Sequence, residues 1–273
     1  MSIFLKKAVT LFHSILFLIV ILMVIVATFM VDNSKTLNVA KAMGTFNNWV
    51  HMATSGKTEN SETHSKIMVI KIKDQVLLDL PSTSQYPQLP RGCEVTSLSM
   101  LLNAAGLKIN KLELAEKVKK EKTPMTFSNG QIYYGNPNDG FVGSMQKKNQ
   151  PGFGVYHKPI AELAEKYLPG KIKDITGSDF QDLKIYLSAG NPIWVITNTS
   201  YQRLPENQFQ TWNTPNGSVK VTFKEHSVLL TGYDLSNVYF NDPLTGEKNK
   251  KAPIKDFEAS WVQMGRQAIT YLP

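Results

Sequence analysis

The sequence predicts an α+β domain with a mainly antiparallel sheet, joined through a polar tether to one membrane-spanning helix. Three observations carry this reading. A nearly charge-free apolar run lies close to the amino terminus, a stretch rich in Ser, Thr, Asn and Lys follows, and the remainder groups its helical patterns ahead of its strand patterns. Grouped helices followed by grouped strands are the mark of α+β architecture.

The apolar run is Ala8 to Val31, AVTLFHSILFLIVILMVIVATFMV, with His13 and Ser14 as mild interruptions. At about 1.5 Å of rise per residue it is long enough to cross a hydrocarbon layer of about 30 Å. Lys6 and Lys7 precede it, which assigns residues 1–7 to the cytoplasm, although Lys35 and Lys41 on the other side weaken the asymmetry. A cleaved signal peptide would need an apolar stretch of about 7 to 15 residues and a small-x-small site close behind it. The candidate site at Ala40 to Ala42 lies well beyond Val31. The expectation is therefore an uncleaved single-pass anchor in the cell membrane over residues 8–31, with the rest of the chain on the extracytoplasmic face. Residues 32–73, including HMATSGKTENSETHSK, have a tether composition with too little apolar surface to fold alone. Within them, Asn38 to Val50 allows a short helix. From Ile67 the pattern IMVIKIKDQVLLDLP reads as extended chain entering a domain that spans residues 74–273.

Inside that domain, helical spacing covers Cys93 to Ala105, Lys111 to Glu121, Pro159 to Leu168 and Asp179 to Ser188, with Gly106 and Gly170 as stops. Strand-like runs follow at Pro192 to Asn198, Val219 to Phe223, Ser227 to Tyr233, Val238 to Asn241 and Gln267 to Tyr271. No internal repeat interrupts this order. Thr126 to Tyr156 is Gly- and Asn-rich and too long for a simple connection, so it reads as a loop bordering a groove or covering a core.

Composition narrows the function classes. Hydrophobic residues are 42% and charged residues 19% of the chain, enough for a sizeable core. The net charge of +8 suits an anionic surface such as phospholipid or a cell-wall polymer, or simply a lysine-rich solvated exterior. No arginine cluster with interleaved aromatics points to nucleic acid. No phosphate-cradling or dinucleotide motif and no Cys/His ligand spacing appears, so neither a cofactor nor a metal is expected.

The single cysteine, Cys93, lies where a loop containing Pro90 and Gly92 enters the first predicted helix. There Val95, Leu98, Leu101, Leu102 and Ala105 form one apolar stripe that fixes the helix on a sheet. Unpaired N–H groups and the positive end of the helix dipole would favour a thiolate. The other local reading is a small buried hydrophobe. A nucleophilic thiol needs a base, and the chain has five histidines. His13 is in the apolar run and His51 and His64 are in the tether, while His157 follows the glycine-rich loop as a reserve candidate. His226 heads a strand, HSVLLTGYD, and Asp242 in NDPLTG would lie alongside it if two antiparallel strands were joined by a short turn. Thiol, imidazole and carboxylate in that arrangement are a nucleophile, its base and the base's orienting group.

The segments LDLPSTSQYPQLPRGCEVTSLSMLLNAAG, GFVGS…GFGVY, HSVLLTGYD, NDPLTG and FEASWVQMGRQAI resemble the bacteriocin-processing (double-glycine) peptidase-like family of papain-fold cysteine peptidases. The closer resemblance is to its stand-alone, membrane-anchored or secreted bacterial branch, over roughly Val76 to Tyr271. The GCE-TS helix start and the H…DP pair are its specific parts. The resemblance implies a papain-like fold in which a helix carrying the nucleophile packs on an antiparallel sheet. It implies Cys93 as nucleophile, His226 as general base and acid, and Asp242 as the group orienting the histidine. It also implies an oxyanion-stabilising glutamine, matched to Gln85 with Gln88 as the alternative. Substrate contacts are expected at Gly92, Gly152, Phe153, Gly154 and Trp194. The implied activity is hydrolysis of peptide bonds through an acyl-enzyme, on a peptide or protein substrate that includes cell-wall-associated ones. Cell-wall amide hydrolysis, acyl transfer and a non-catalytic peptide-binding module on the same fold are the alternatives.

Overall fold

The computed structural model describes residues 72–272. The expected anchor, and the tether except for its last two positions, lie outside them. Among the described residues no helix is long and apolar enough to cross a membrane.

The chain enters through β1 (Val76–Leu77) and then forms α1 (Cys93–Ala104) and α2 (Lys111–Lys117). Four short strands follow, β2 (Lys120–Glu121), β3 (Thr126–Ser128), β4 (Gln131–Tyr133) and β5 (Phe141–Val142). Next come α3 (His157–Glu165), β6 (Ile172–Asp174), α4 (Phe180–Ser188) and β7 (Ile193–Asn198). The second half holds β8 (Gln210–Thr214), β9 (Gly217–Val221), β10 (Glu225–Tyr233), β11 (Asn237–Asn241), β12 (Lys250–Pro253), α5 (Ile254–Gln263) and β13 (Ala268–Tyr271).

The main sheet runs β12-β11-β10-β7-β13-β6, with β1 also pairing to β10, and every pairing in it is antiparallel. A second sheet, β3-β4-β8-β9, takes two of its strands, β3 and β4, from the Gly- and Asn-rich stretch, and β2 pairs in parallel with β5. The mixed α+β class is as read from the sequence. Its strict helix-then-strand order is not, because α5 intervenes between β12 and β13. In α5 Phe257, Ser260 and Trp261 are buried at helical spacing, while β8 and β12 are too polar to announce themselves. The predicted helix to Glu121 stops at Lys117, since Lys120 and Glu121 go instead to β2.

Strand alternation places two of the three cores among the described residues on opposite faces of the main sheet, and the third gathers Tyr134, Phe153, Tyr156 and Trp212. Trp194, Ile196, Leu229 and Ile269 pack with the leucines of α1, with Leu114 of α2 and with Ile160 and Leu163 of α3. Ile193, Val195, Val228, Leu230 and Phe240 pack with Phe180 and Leu183 of α4 and with Phe257 and Trp261 of α5. Helix α1 is thus central rather than amphipathic: every residue from Cys93 to Leu102 is buried. Its hydroxyls are satisfied locally or across to the sheet. Thr96 Oγ1 donates to the Gly92 carbonyl at 2.7 Å and Ser97 Oγ to the Ser227 carbonyl at 3.1 Å. A helix held from all sides cannot slide or rotate cheaply, so its first turn is a fixed point.

Candidate active site

That first turn ends in a cleft of about 170 Å³, lined among others by Gln85, Arg91, Cys93, Gly152, Phe153, Phe223, Glu225, His226 and Leu244. Four sequence-predicted positions therefore meet with Cys93 in one place. Each arrives by a different route.

Strands β10 and β11 pair with Leu229 opposite Asn241, which sets Asp242 just past the end of β11 beside the start of β10. His226 Nε2 lies 2.8 Å from Asp242 Oδ1, and both side chains are buried. Asp242 also accepts from the Leu244 N–H at 2.9 Å, the Tyr201 hydroxyl at 2.8 Å, Thr245 Oγ1 at 3.0 Å and Lys250 Nζ at 2.8 Å. Burial alone would push its carboxyl up. The hydrogen bond and charge of His226, with Lys250 and Tyr201, overcome that and hold it well below the usual carboxylate range. A carboxylate saturated in this way is a fixed anchor for the ring, and it leaves His226 Nδ1 as the nitrogen free for other work.

Gln85 is buried, and its Nε2 donates to the Pro90 carbonyl at 3.0 Å. A primary amide has a second N–H to offer, while its Oε1 is buried without a partner. Gln88 is exposed and does not line the cleft. Arg91, which lines the cleft, donates to the Ser144, Lys147 and Lys148 carbonyls and so ties this wall to the loop over residues 144–148.

Cys93 is 7% exposed, and its surroundings differ from those expected of a thiolate. Its sulfur donates to Glu94 Oε2 at 3.4 Å, and no hydrogen bond joins it to His226 among the described residues. Burial first, then the charges of Glu94 and Glu225, push the thiol well above its ordinary value. The reason is the alternation of β10. Leu229 faces α1, so Ser227 and Glu225 share that face, whereas His226 belongs to the face of Val228 and Leu230 and reaches the cleft only at the strand's end. The expected pull of imidazolium and helix dipole is outweighed in this arrangement by desolvation and two carboxyl groups.

Three of the proposed substrate contacts have other duties. Trp194 is wholly buried, and its indole N–H donates to the Glu94 carbonyl at 2.9 Å. It braces the first turn of α1 from behind and cannot reach a substrate. Gly92 turns its hydrogen-only face onto Leu89, whose Cβ lies 2.6 Å from where a side chain would begin. Its small size serves packing, and Gly92 is not among the residues lining the cleft. A Cβ on Gly154 would stand 2.3 Å from Glu94 Oε1, so this glycine makes room for a carboxylate. Gly152 and Phe153 do line the cleft. The reserve histidine, His157, is elsewhere, with Nδ1 at 2.6 Å from Asp174 Oδ2.

Sequence reasoning gave Glu94 no chemistry and missed Glu225, Tyr201 and Lys250. The period of two counted back from Leu229 would have found Glu225, but nothing in the linear pattern marks Tyr201 or Lys250 as partners of Asp242. The ligand-type atoms of Cys93, Glu94 and Glu225 lie within 4.8 Å of one another. Metal ligands must be deprotonated, and burial here favours the neutral thiol and neutral carboxyls, so the group is better described as a cluster of buried acids in which only Cys93 and Glu94 are hydrogen-bonded to each other.

A family model described as "Peptidase_C39 like family" matches residues 77–269, spanning β1 to β13 and every residue of the cleft. The chain belongs to this family. It is 49% identical over 183 residues to the uncharacterized protein YvpB of Bacillus subtilis (strain 168), covering 67% of this chain and 70% of that one. It also resembles the crystal structure of a Bacillus anthracis chain described as a C39-like peptidase. There the TM-score is 0.69 at 44% identity, covering 74% of this chain and 98% of the other. Family and neighbour alike suggest a chemistry of the cysteine peptidase type.

Proposed function

We propose that the protein is a membrane-anchored, extracytoplasmic cysteine peptidase of papain-like fold, using Cys93, His226 and Asp242 through an acyl-enzyme. The supporting observation is the His226–Asp242 pair, with Nδ1 left free, opening on the same cleft as the first turn of α1. The attacking sulfur bonds to the substrate carbonyl carbon while its proton passes to His226 Nδ1. Catalytic hydrogen bonds absent from a free enzyme commonly form only once substrate is bound. The oxyanion is received by the second N–H of Gln85 and by the Cys93 backbone N–H, which has no acceptor within its own helix. Collapse expels the amine, which takes the proton from His226. Water, deprotonated by the same nitrogen, then cleaves the thioester and releases the acid. Gly152 and Phe153 line the groove for the substrate chain. The mechanism requires no cofactor.

The test is incubation of the full-length protein with a peptide library and, separately, with purified cell wall, followed by mass spectrometry. New amino termini in the library, together with a trapped acyl adduct on Cys93, are expected, and both disappear in Cys93→Ala and His226→Ala. Release of wall fragments alone would assign cell-wall amide hydrolysis instead. Binding without turnover, unchanged in Cys93→Ala, would assign a non-catalytic module.

A further inference from the structure

We propose that Glu94 and Glu225 form a carboxyl pair that holds the resting Cys93 as a neutral thiol and sets the acidity at which it ionises. The proposal rests on reading Cys93 as the nucleophile of the cleft, and it assigns both glutamates as positioning residues acting through that sulfur.

Geometry carries the argument. Glu94 is fully buried and uses both oxygens: Oε1 accepts the Val155 N–H at 2.7 Å and Oε2 accepts the thiol. Glu225 is half-buried as a residue, yet its Oε1 is sealed from solvent and has no partner. The two carboxyls converge on Gly154, where a Cβ would lie 2.3 Å from Glu94 Oε1 and 3.1 Å from Glu225 Oε2. Two carboxylates so close and so dry cannot both ionise at little cost, so they retain a proton between them. Burial sets Glu94 at about 7 and, with the charge of Glu94, sends Glu225 well above its ordinary value.

The other groups facing the cluster do not cancel this effect. From β10, the Ser227 N–H favours a charged sulfur, but less than burial and the two carboxyls oppose it. The Tyr156 phenol, ahead of α3, is kept neutral by burial and by both glutamates. Lys120 on β2 is the cation that acts on Glu94, and it is spent on the Ala115 carbonyl at 2.5 Å. Arg91 is committed to loop carbonyls, and His226 is turned toward Asp242. Substrate that displaces the thiol from Glu94 toward His226 Nδ1 would thus release the nucleophile only when a carbonyl is in place, which protects the resting thiol from idle oxidation.

The experiment is the pH profile of Cys93 alkylation by iodoacetamide, read by mass, so that no substrate is needed and failure of the peptidase reading leaves it intact. Wild-type protein should titrate above a free thiol, about 8.5. Glu94→Gln should lower the midpoint by at least one pH unit, about tenfold more thiolate at any pH below both midpoints. Glu225→Gln should move it the same way by less, and Glu94→Asp, which keeps the charge, should stay near wild type. Circular dichroism confirms that each variant is folded. If Glu94→Gln does not fold, Glu225→Gln alone decides. A midpoint unchanged or raised in the folded glutamine variants overturns the proposal, as does an equal fall in Glu94→Asp.

Discussion

At the scale of single residues, the decisive contrast is between two buried carboxyl groups, those of Asp242 and Glu94. Asp242 collects an imidazole, an ammonium, two hydroxyls and an amide N–H, and so remains ionised despite complete burial. Glu94 collects one amide N–H and a thiol, and burial wins. The two therefore act on stability in opposite senses. Asp242 has a depressed native pKa, so its contribution is present above the unfolded value of about 3.9 and is lost as pH falls below it. Asp242→Asn should flatten the acid limb of urea stability measured from pH 5 to 2, and should abolish any turnover. Glu94 has a raised native pKa, so its contribution is full below its ordinary value of 4.5 and fades as pH rises through about 7. Wild-type stability should accordingly fall between those two pH values, and Glu94→Gln should lose that slope. A glutamine variant that retains it would locate the proton elsewhere. Gln85→Ala should lower kcat by about 10²- to 10³-fold, the usual cost of one oxyanion donor, with little change in melting temperature.

At the scale of elements, helix α1 and strand β10 bear the site. Leu98 and Leu101 are wholly buried between α1 and the sheet. Truncating either to alanine should cost about 2–5 kcal/mol in chemical denaturation, without altering the alkylation profile of Cys93 in the molecules that remain folded. Helix α1 was legible because a run such as VTSLSMLLNA has few alternatives to a helix, and β10 because HSVLLTGY contains no breaker before its end. What could not be read was α1's environment. A hydrophobic stripe predicts one buried face, yet a helix surrounded by a sheet, two helices and a folded loop buries its serines and threonine as well, once their hydroxyls reach carbonyls. The same limit hid α5 and β12, whose polar residues take their structure from the elements they meet.

For the whole molecule, the sandwich of helices on both faces of one antiparallel sheet fixes where two sequence-distant segments meet. The predicted span over residues 8–31 adds an expectation at this scale. The full-length chain should sediment with membranes, and removal of residues 1–66 should release a soluble protein that keeps the His226–Asp242 stability signature. A soluble full-length chain would remove the anchor from the proposal.

Beyond the family resemblance that supplied Gln85, the amino-acid sequence by itself determined the α+β class, the places of α1 to α4 and most of the long strands, and the candidates Cys93, His226 and Asp242. These follow from periodicity, turn residues and chemical type, all of which are local. Tertiary structure alone decided that Trp194 braces α1 from within the core, that Gly92 and Gly154 yield space to Leu89 and Glu94, and that the thiol faces carboxyls. Those outcomes depend on which face of β10 meets α1 and on how far each group is removed from water. Neither can be computed from neighbours along the chain, because desolvation belongs to the packed assembly and not to any one segment of it.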